Sequence, residues 1–148
     1  MTLKETILAL EKVAAQQPAI NQIVRNDVFR LNSLPDVLYG VFAWTQREHT
    51  MEPDSDTVNF AFSLFYVDRL TEDHSNEVDV QSMGVQVLTN IIRGVEDAGV
   101  WPLSSYSFTS FNQRFTDECA GVYCNITLQV PVSSLCGDVF GNRTVVIY

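Results

Sequence analysis

The strongest constraint on the fold lies between Val37 and Leu70. Two runs rich in β-branched and aromatic residues, Val37 to about Met51 and Thr57 to Leu70, flank the turn signal Glu52-Pro53-Asp54-Ser55-Asp56. This pattern predicts a β-hairpin with long arms. At about 3.3 Å per residue, an arm of about 14 residues reaches roughly 46 Å, whereas a compact domain of this length is roughly 38 Å across. The hairpin is expected to project beyond its own domain unless it bends strongly. Both of its faces are apolar. Val58, Phe60, Phe62, Leu64 and Tyr66 alternate on one face of the second arm, while the other runs from Asn59, Ala61 and Ser63 to Phe65 and Val67. In the first arm Phe42 and Trp44 oppose Val41 and Ala43. A half-solvated sheet needs only one apolar face, so either the first helix or a neighbouring subunit is expected to cover the second.

The flanking sequence supplies the partners of this hairpin. Thr2 and Glu5 form a capping box, and Leu3, Ile7, Leu10 and Ala14 recur at helical spacing before Pro18, predicting a helix over residues 3–16. Ala19 to Pro35 reads as a connection with one short strand, in which Ile23, Val24, Val28 and Phe29 need partners. Asp73-His74-Ser75-Asn76 caps a second helix over 76–98, with Val80, Gly84, Val87, Leu88, Ile91, Val95 and Ala98 on one face and Gly99 and Trp101-Pro102 as its stop. Ser105–Phe115 and Gly121–Val132 read as a second hairpin turning at Thr116-Asp117-Glu118, and Thr144–Tyr148 as a short terminal strand. The expected fold is α+β: one domain over 1–148, a mainly antiparallel sheet with a long projecting hairpin, and two helices packed on the sheet. Residues 133–148 are read as a docking arm.

Charge narrows the function. The 148 residues carry 9 Lys and Arg against 18 Asp and Glu, a net charge of −9. The cations are dispersed, which argues against a protein built to grip nucleic-acid phosphates. The acids are concentrated: residues 48–79 hold nine of them with Arg69 as the one cation, a segmental net of −8. Asp73, Glu77 and Asp79 flank a helix N-terminus, where the dipole favours them. The tip acids Glu52, Asp54 and Asp56 have no such explanation.

No catalytic motif is present. His49 and His74 lie outside any HxxxH, HExxH or Cys/His cluster, and the glycines form neither GxGxxG nor GxxxxGK[ST]. Asp54-Ser55-Asp56 lacks the glycine and bidentate Glu of a calcium loop. No metal and no cofactor are expected. Cys119, Cys124 and Cys136 are an odd set without CxxC spacing and are read as free thiols. Met1–Ala15 has no signal-peptide core, and no run approaches the roughly 18 apolar residues of a membrane span. Cytoplasmic synthesis and no membrane association are expected.

Several stretches resemble a known family: Val24 to Asn32 (VRNDVFRLN), Thr45-Gln46-Arg47, Val67 to Ser82 (VDRLTEDHSNEVDVQS) and Phe111 to Val122 (FNQRFTDECAGV). Together with the order of elements they cover most of the chain, which resembles neck or tail-completion proteins of tailed bacteriophages. The resemblance is to tail-terminator-like proteins of phages and prophages of Bacteroides-type bacteria, crAss-like phages included. It implies a non-enzymatic virion component, assembled in the host cytoplasm as a homo-oligomeric ring. Such a ring stacks against neck, portal-connector or tail-tube proteins and surrounds genomic DNA without binding it specifically.

The residues that would make such a ring are the hairpin apolar residues Phe42, Trp44, Phe65 and Val67, the tip acids Glu52, Asp54 and Asp56, and Val145, Val146 and Ile147 of the terminal segment. Two other classes fit the sequence. A small protein- or peptide-binding module of antiparallel-sheet type would be a monomer or dimer with one-to-one stoichiometry, and a hydrolase would use His49 or His74 beside carboxylates.

Overall fold

The computed structural model describes residues 1–52, 54–103, 106–135 and 144–148. The first helix, α1 (Leu3–Ala15), starts at the expected capping box: Thr2 accepts from the Glu5 N–H, and the Glu5 carboxylate accepts from the Thr2 N–H. A short strand β1 (Gln22–Arg25) follows, then a 3-10 segment (Val28–Ser33) capped by Asp27. Strands β2 (Val41–Gln46) and β3 (Thr57–Arg69) precede the second helix, α2 (Glu77–Asp97). Strands β4 (Trp101–Pro102), β5 (Phe108–Arg114) and β6 (Glu118–Pro131) complete the sheet, and a 3-10 turn follows at Val132–Ser134.

The result is an α+β fold with one mostly antiparallel six-stranded sheet. Its order is β1-β2-β3-β6, with β5 and β4 one after the other along the outer side of β6. Only β1 and β2 run parallel. Such a pair needs a crossover, and residues 26–40 provide it.

The hairpin differs from its expected form. The second arm is long, but β2 is only six residues and pairs from Val41↔Val67 to Gln46↔Phe62. After Gln46 the chain bulges away and rejoins β3 at a single bridge, Thr50↔Asn59. The partner that follows β3 along its whole length is β6, from Thr57↔Pro131 to Arg69↔Cys119. The two-residue β4 was read only as a helix stop. Its proline sits on an edge strand, the place where a missing N–H is tolerated. Residues 144–148 form no strand. Pro53, Ser105 and Cys136, to which expectations were also attached, lie outside the described residues.

The chain itself buries one face of the sheet along its length and the other face at its β2 end. On one face Phe42, Trp44, Phe60, Phe62, Leu64, Tyr66, Val122, Ile126 and Leu128 pack under α1 and α2, together with Leu10, Leu88, Ile91 and Ile92. On the other, Val41, Ala43, Val67 and Cys119 are covered by Val28 and Leu31 of the crossover and by Phe115. Each large side chain buried in this way contributes about 1.5–3 kcal/mol. At the β2 end of the second face the cover is the crossover rather than α1, while Ser63, Phe65, Tyr123 and Asn125 further along that face stay partly or wholly exposed.

Candidate interaction surface

Burial divides the residues singled out from sequence into two groups. Phe42 and Val67 are 0% exposed and Trp44 4%. They belong to the intramolecular core and present almost no surface in this fold. Phe65 is half-buried, its ring edge-on to Phe111 at 6.4 Å and tilted against Tyr123 at 5.8 Å. Glu52, Asp54 and Asp56 are exposed around the turn before β3. There the Ser55 N–H donates to the Glu52 carbonyl and the Val132 N–H to the Asp56 carbonyl, at 3.0 and 2.7 Å. The turn is tied by its backbone and its carboxylates face outward. Val145, Val146 and Ile147 are 65, 70 and 89% exposed.

The histidines, the buried thiols and Tyr39 take part in holding the fold. His49 stands where β2 stops: its Nδ1 accepts from the Ala61 N–H at 3.1 Å and its Nε2 meets the Gln46 Oε1 at 3.0 Å. The ring packs against Phe60 and Phe62. Accepting at Nδ1 requires the neutral ring with its proton on Nε2, and burial pushes the imidazole below its usual range. His74 has φ 58 and bonds Glu118 at 2.6 Å, with Arg114 3.4 Å from the same carboxylate. This set lines a cavity of about 160 Å³ beside Cys119. Burial pushes the Cys119 and Cys124 thiols up to about 11, so neither supplies a thiolate at neutral pH. The Tyr39 hydroxyl donates to Asp117 at 2.7 Å, and Arg69 lies 3.6 Å from the same carboxylate. Burial first and the Asp117 hydrogen bond second raise the Tyr39 hydroxyl above its ordinary range. That bond ties the crossover to the β5–β6 turn.

The larger depressions are a groove of about 390 Å³ between the end of α1 and α2, one of about 370 Å³ beside Leu8 and Trp44, and one of about 350 Å³ containing Asp68 and Asp79. In the last of these the Tyr66 hydroxyl donates to the Asp68 carboxylate at 3.4 Å, and burial raises that hydroxyl above its ordinary range. Among the described residues no three His, Cys, Asp or Glu side chains converge to hold a metal, and no helix is long and apolar enough to cross a membrane.

Backbone is what the surface offers most openly. β5 pairs only with β6, so its outer edge from Phe108 to Arg114 is unpaired by any strand among the described residues. Trp101 and Leu103 continue that edge at 58 and 40% exposed. The sequence marked β5 as a strand but held no sign that it would be an edge.

One buried cluster also went unread. The Glu11 carboxylate takes two hydrogen bonds from Arg25, at 2.8 and 2.6 Å, and one from Trp44 Nε1 at 3.1 Å. Its signal was available: Glu11 falls four residues after Ile7 and three before Ala14, on the apolar stripe of α1. No protein-family model and no curated protein sequence matches the chain.

Proposed function

We propose that the protein is a structural, non-enzymatic virion component: a ring-forming neck or tail-terminator part that surrounds the DNA passage. The observation that carries this reading is the segregation of charge. Nine acids fall within residues 48–79, and the rest of the chain is nearly neutral. Glu52, Asp54 and Asp56 sit exposed at the β3 turn, the end of the long β3–β6 ribbon. In this reading that end is the projecting part. A DNA conduit needs a lining that does not hold the polymer; an anionic surface repels phosphate, whereas clustered cations would bind it. The tied histidines and protonated thiols also suit a part without catalysis. Native mass spectrometry and negative-stain imaging, alone and with neighbouring neck and tail proteins, test the proposal. Closed rings are expected; a monomer at high concentration under both conditions would sink it.

The open edge of β5 favours a second reading, a module that captures an extended peptide by strand addition. It predicts a monomer or dimer binding its partner one to one, which the same measurement of stoichiometry distinguishes.

A further inference from the structure

We propose that Thr144–Tyr148 of one copy adds as a strand to the open edge of β5 in a second copy. The inference rests on the ring reading and names the contact through which copies meet.

Among the described residues the donor has no strand partner and the acceptor has none on its outer edge. The donor, TVVIY, is a run of β-formers without charge or proline, yet it forms no strand and its Val145, Val146 and Ile147 side chains stand in solvent. The acceptor is a seven-residue edge carrying none of the usual protections: no proline, no lysine and no acid, with Arg114 as its one charge at the far end. Five extended residues span about 17 Å and seven about 23 Å, so the donor fits within the edge. Side chains alternate across a strand. One set of added residues would lie beside Phe111 on the crossover face, and the other beside Phe108 on the helix face.

Charge selects this pairing over others. Two copies at −9 each repel, and like charges brought together at a contact cost several kcal/mol. A contact is therefore cheapest where neither side carries an acid, and TVVIY against FTSFNQR satisfies that with a cation to spare. The opposite edge of the sheet is a poorer acceptor. β1 is only four residues long with its Arg25 carbonyl accepting from Arg30 at 2.9 Å, whereas in the seven-residue β5 the carbonyl so engaged is that of the last residue, Arg114, from Gln113 Nε2 at 3.3 Å. Segment and edge are different patches, so the contact is heterologous, the kind that closes rings.

The test compares wild type with Val145→Pro/Ile147→Pro and with Ser110→Lys, using native mass spectrometry and amide hydrogen exchange over a concentration series. A capped TVVIY peptide is the probe. In wild type, exchange at Phe108–Arg114 is expected to slow at least tenfold as concentration rises. The double-proline variant should stay fast and monomeric, and added peptide should restore the slowing. Ser110→Lys, confirmed folded by circular dichroism, should bind neither peptide nor a second copy. Oligomers that survive both prolines would overturn this contact and leave the ring reading standing. A dimer, and nothing larger, that depends on both elements would support the strand addition and overturn the ring. Failure of the peptide to slow exchange at β5 would overturn the strand addition outright.

Discussion

Two side chains carry more of this structure than their neighbours. Glu11 is 8% exposed, and its charge is met by Arg25 and the Trp44 indole. Removing one partner of a buried pair leaves the other uncompensated. Arg25→Met is therefore expected to cost about 2 kcal/mol, moderated because the Arg25 side chain is 60% exposed; urea denaturation at pH 7 measures it. His49 gives a pH signature. Its folded pKa lies below the ordinary 6.5 because burial disfavours the cation, so its contribution is complete above about 6.5 and is lost as pH falls through the folded value. Protonation of Nδ1 also ends the bond from the Ala61 N–H. Urea midpoints measured from pH 7.5 to 5 should fall less steeply for His49→Asn, whose side-chain oxygen still accepts, than for wild type. Equal slopes would show that His49 does not govern the acidic side. Glu11 was legible from its place on the α1 stripe. The role of His49 was not, because it exists only where β2 leaves β3.

The elements that repeat a period were the easiest to read. Both helices stand within a residue or so of their expected limits, since apolar spacing is a local fact; α1 also starts at its capping box, whereas Asn76 makes no side-chain cap for α2 and accepts instead from the Thr71 N–H. The first hairpin arm was over-read. Residues 37–40 (VLYG) are as apolar as a strand requires but belong to the crossover, which only long-range packing decides, whereas 47–51 (REHTM) are largely polar and leave the ladder as a bulge. Helix crossing is specific at Gly94, where an added Cβ would run into the Val13 side chain of α1. Gly94→Ala should thus destabilise by about 1–2 kcal/mol, although alanine favours a helix by about 1 kcal/mol. Adding Val13→Ala should return most of the loss, a coupling that a double-mutant cycle reads directly.

At the scale of the whole molecule, the pattern in β2 and β3 announced that both faces were buried but not what would bury them. Alternation reports burial at each position, whereas the covering residues Val28, Leu31 and Phe115 come from segments with no period of their own. The apolar hairpin residues therefore read as a subunit contact from sequence alone, while the surface of the fold offers the β5 edge, the terminal segment and scattered apolar side chains such as Phe29, Leu38 and Val78. Net charge also governs association. With −9 on each copy, raising the salt from about 0.1 M to about 1 M shortens the Debye length from about 10 Å to about 3 Å. The oligomeric fraction in analytical ultracentrifugation should rise with it; a fall would mean that ion pairs, rather than uncharged strands, hold the copies together.

The position of β6 sets the order in which this protein can be made. It pairs with β3, β4 and β5 and lies under α2, yet among the described strands it is the last to leave the ribosome. Until about residue 131 has emerged, β3 has no full-length neighbour and α2 has most of its sheet missing. A nascent chain thus spends most of its synthesis as an apolar, half-built ribbon, at emergence rates of about 5–20 residues per second. Its fold arrives late and all at once, through pairings distant in sequence. Ribosome stalling after β5 would strand a species exposed to chaperones and proteases, whereas stalling after β6 would release one already able to hold itself together.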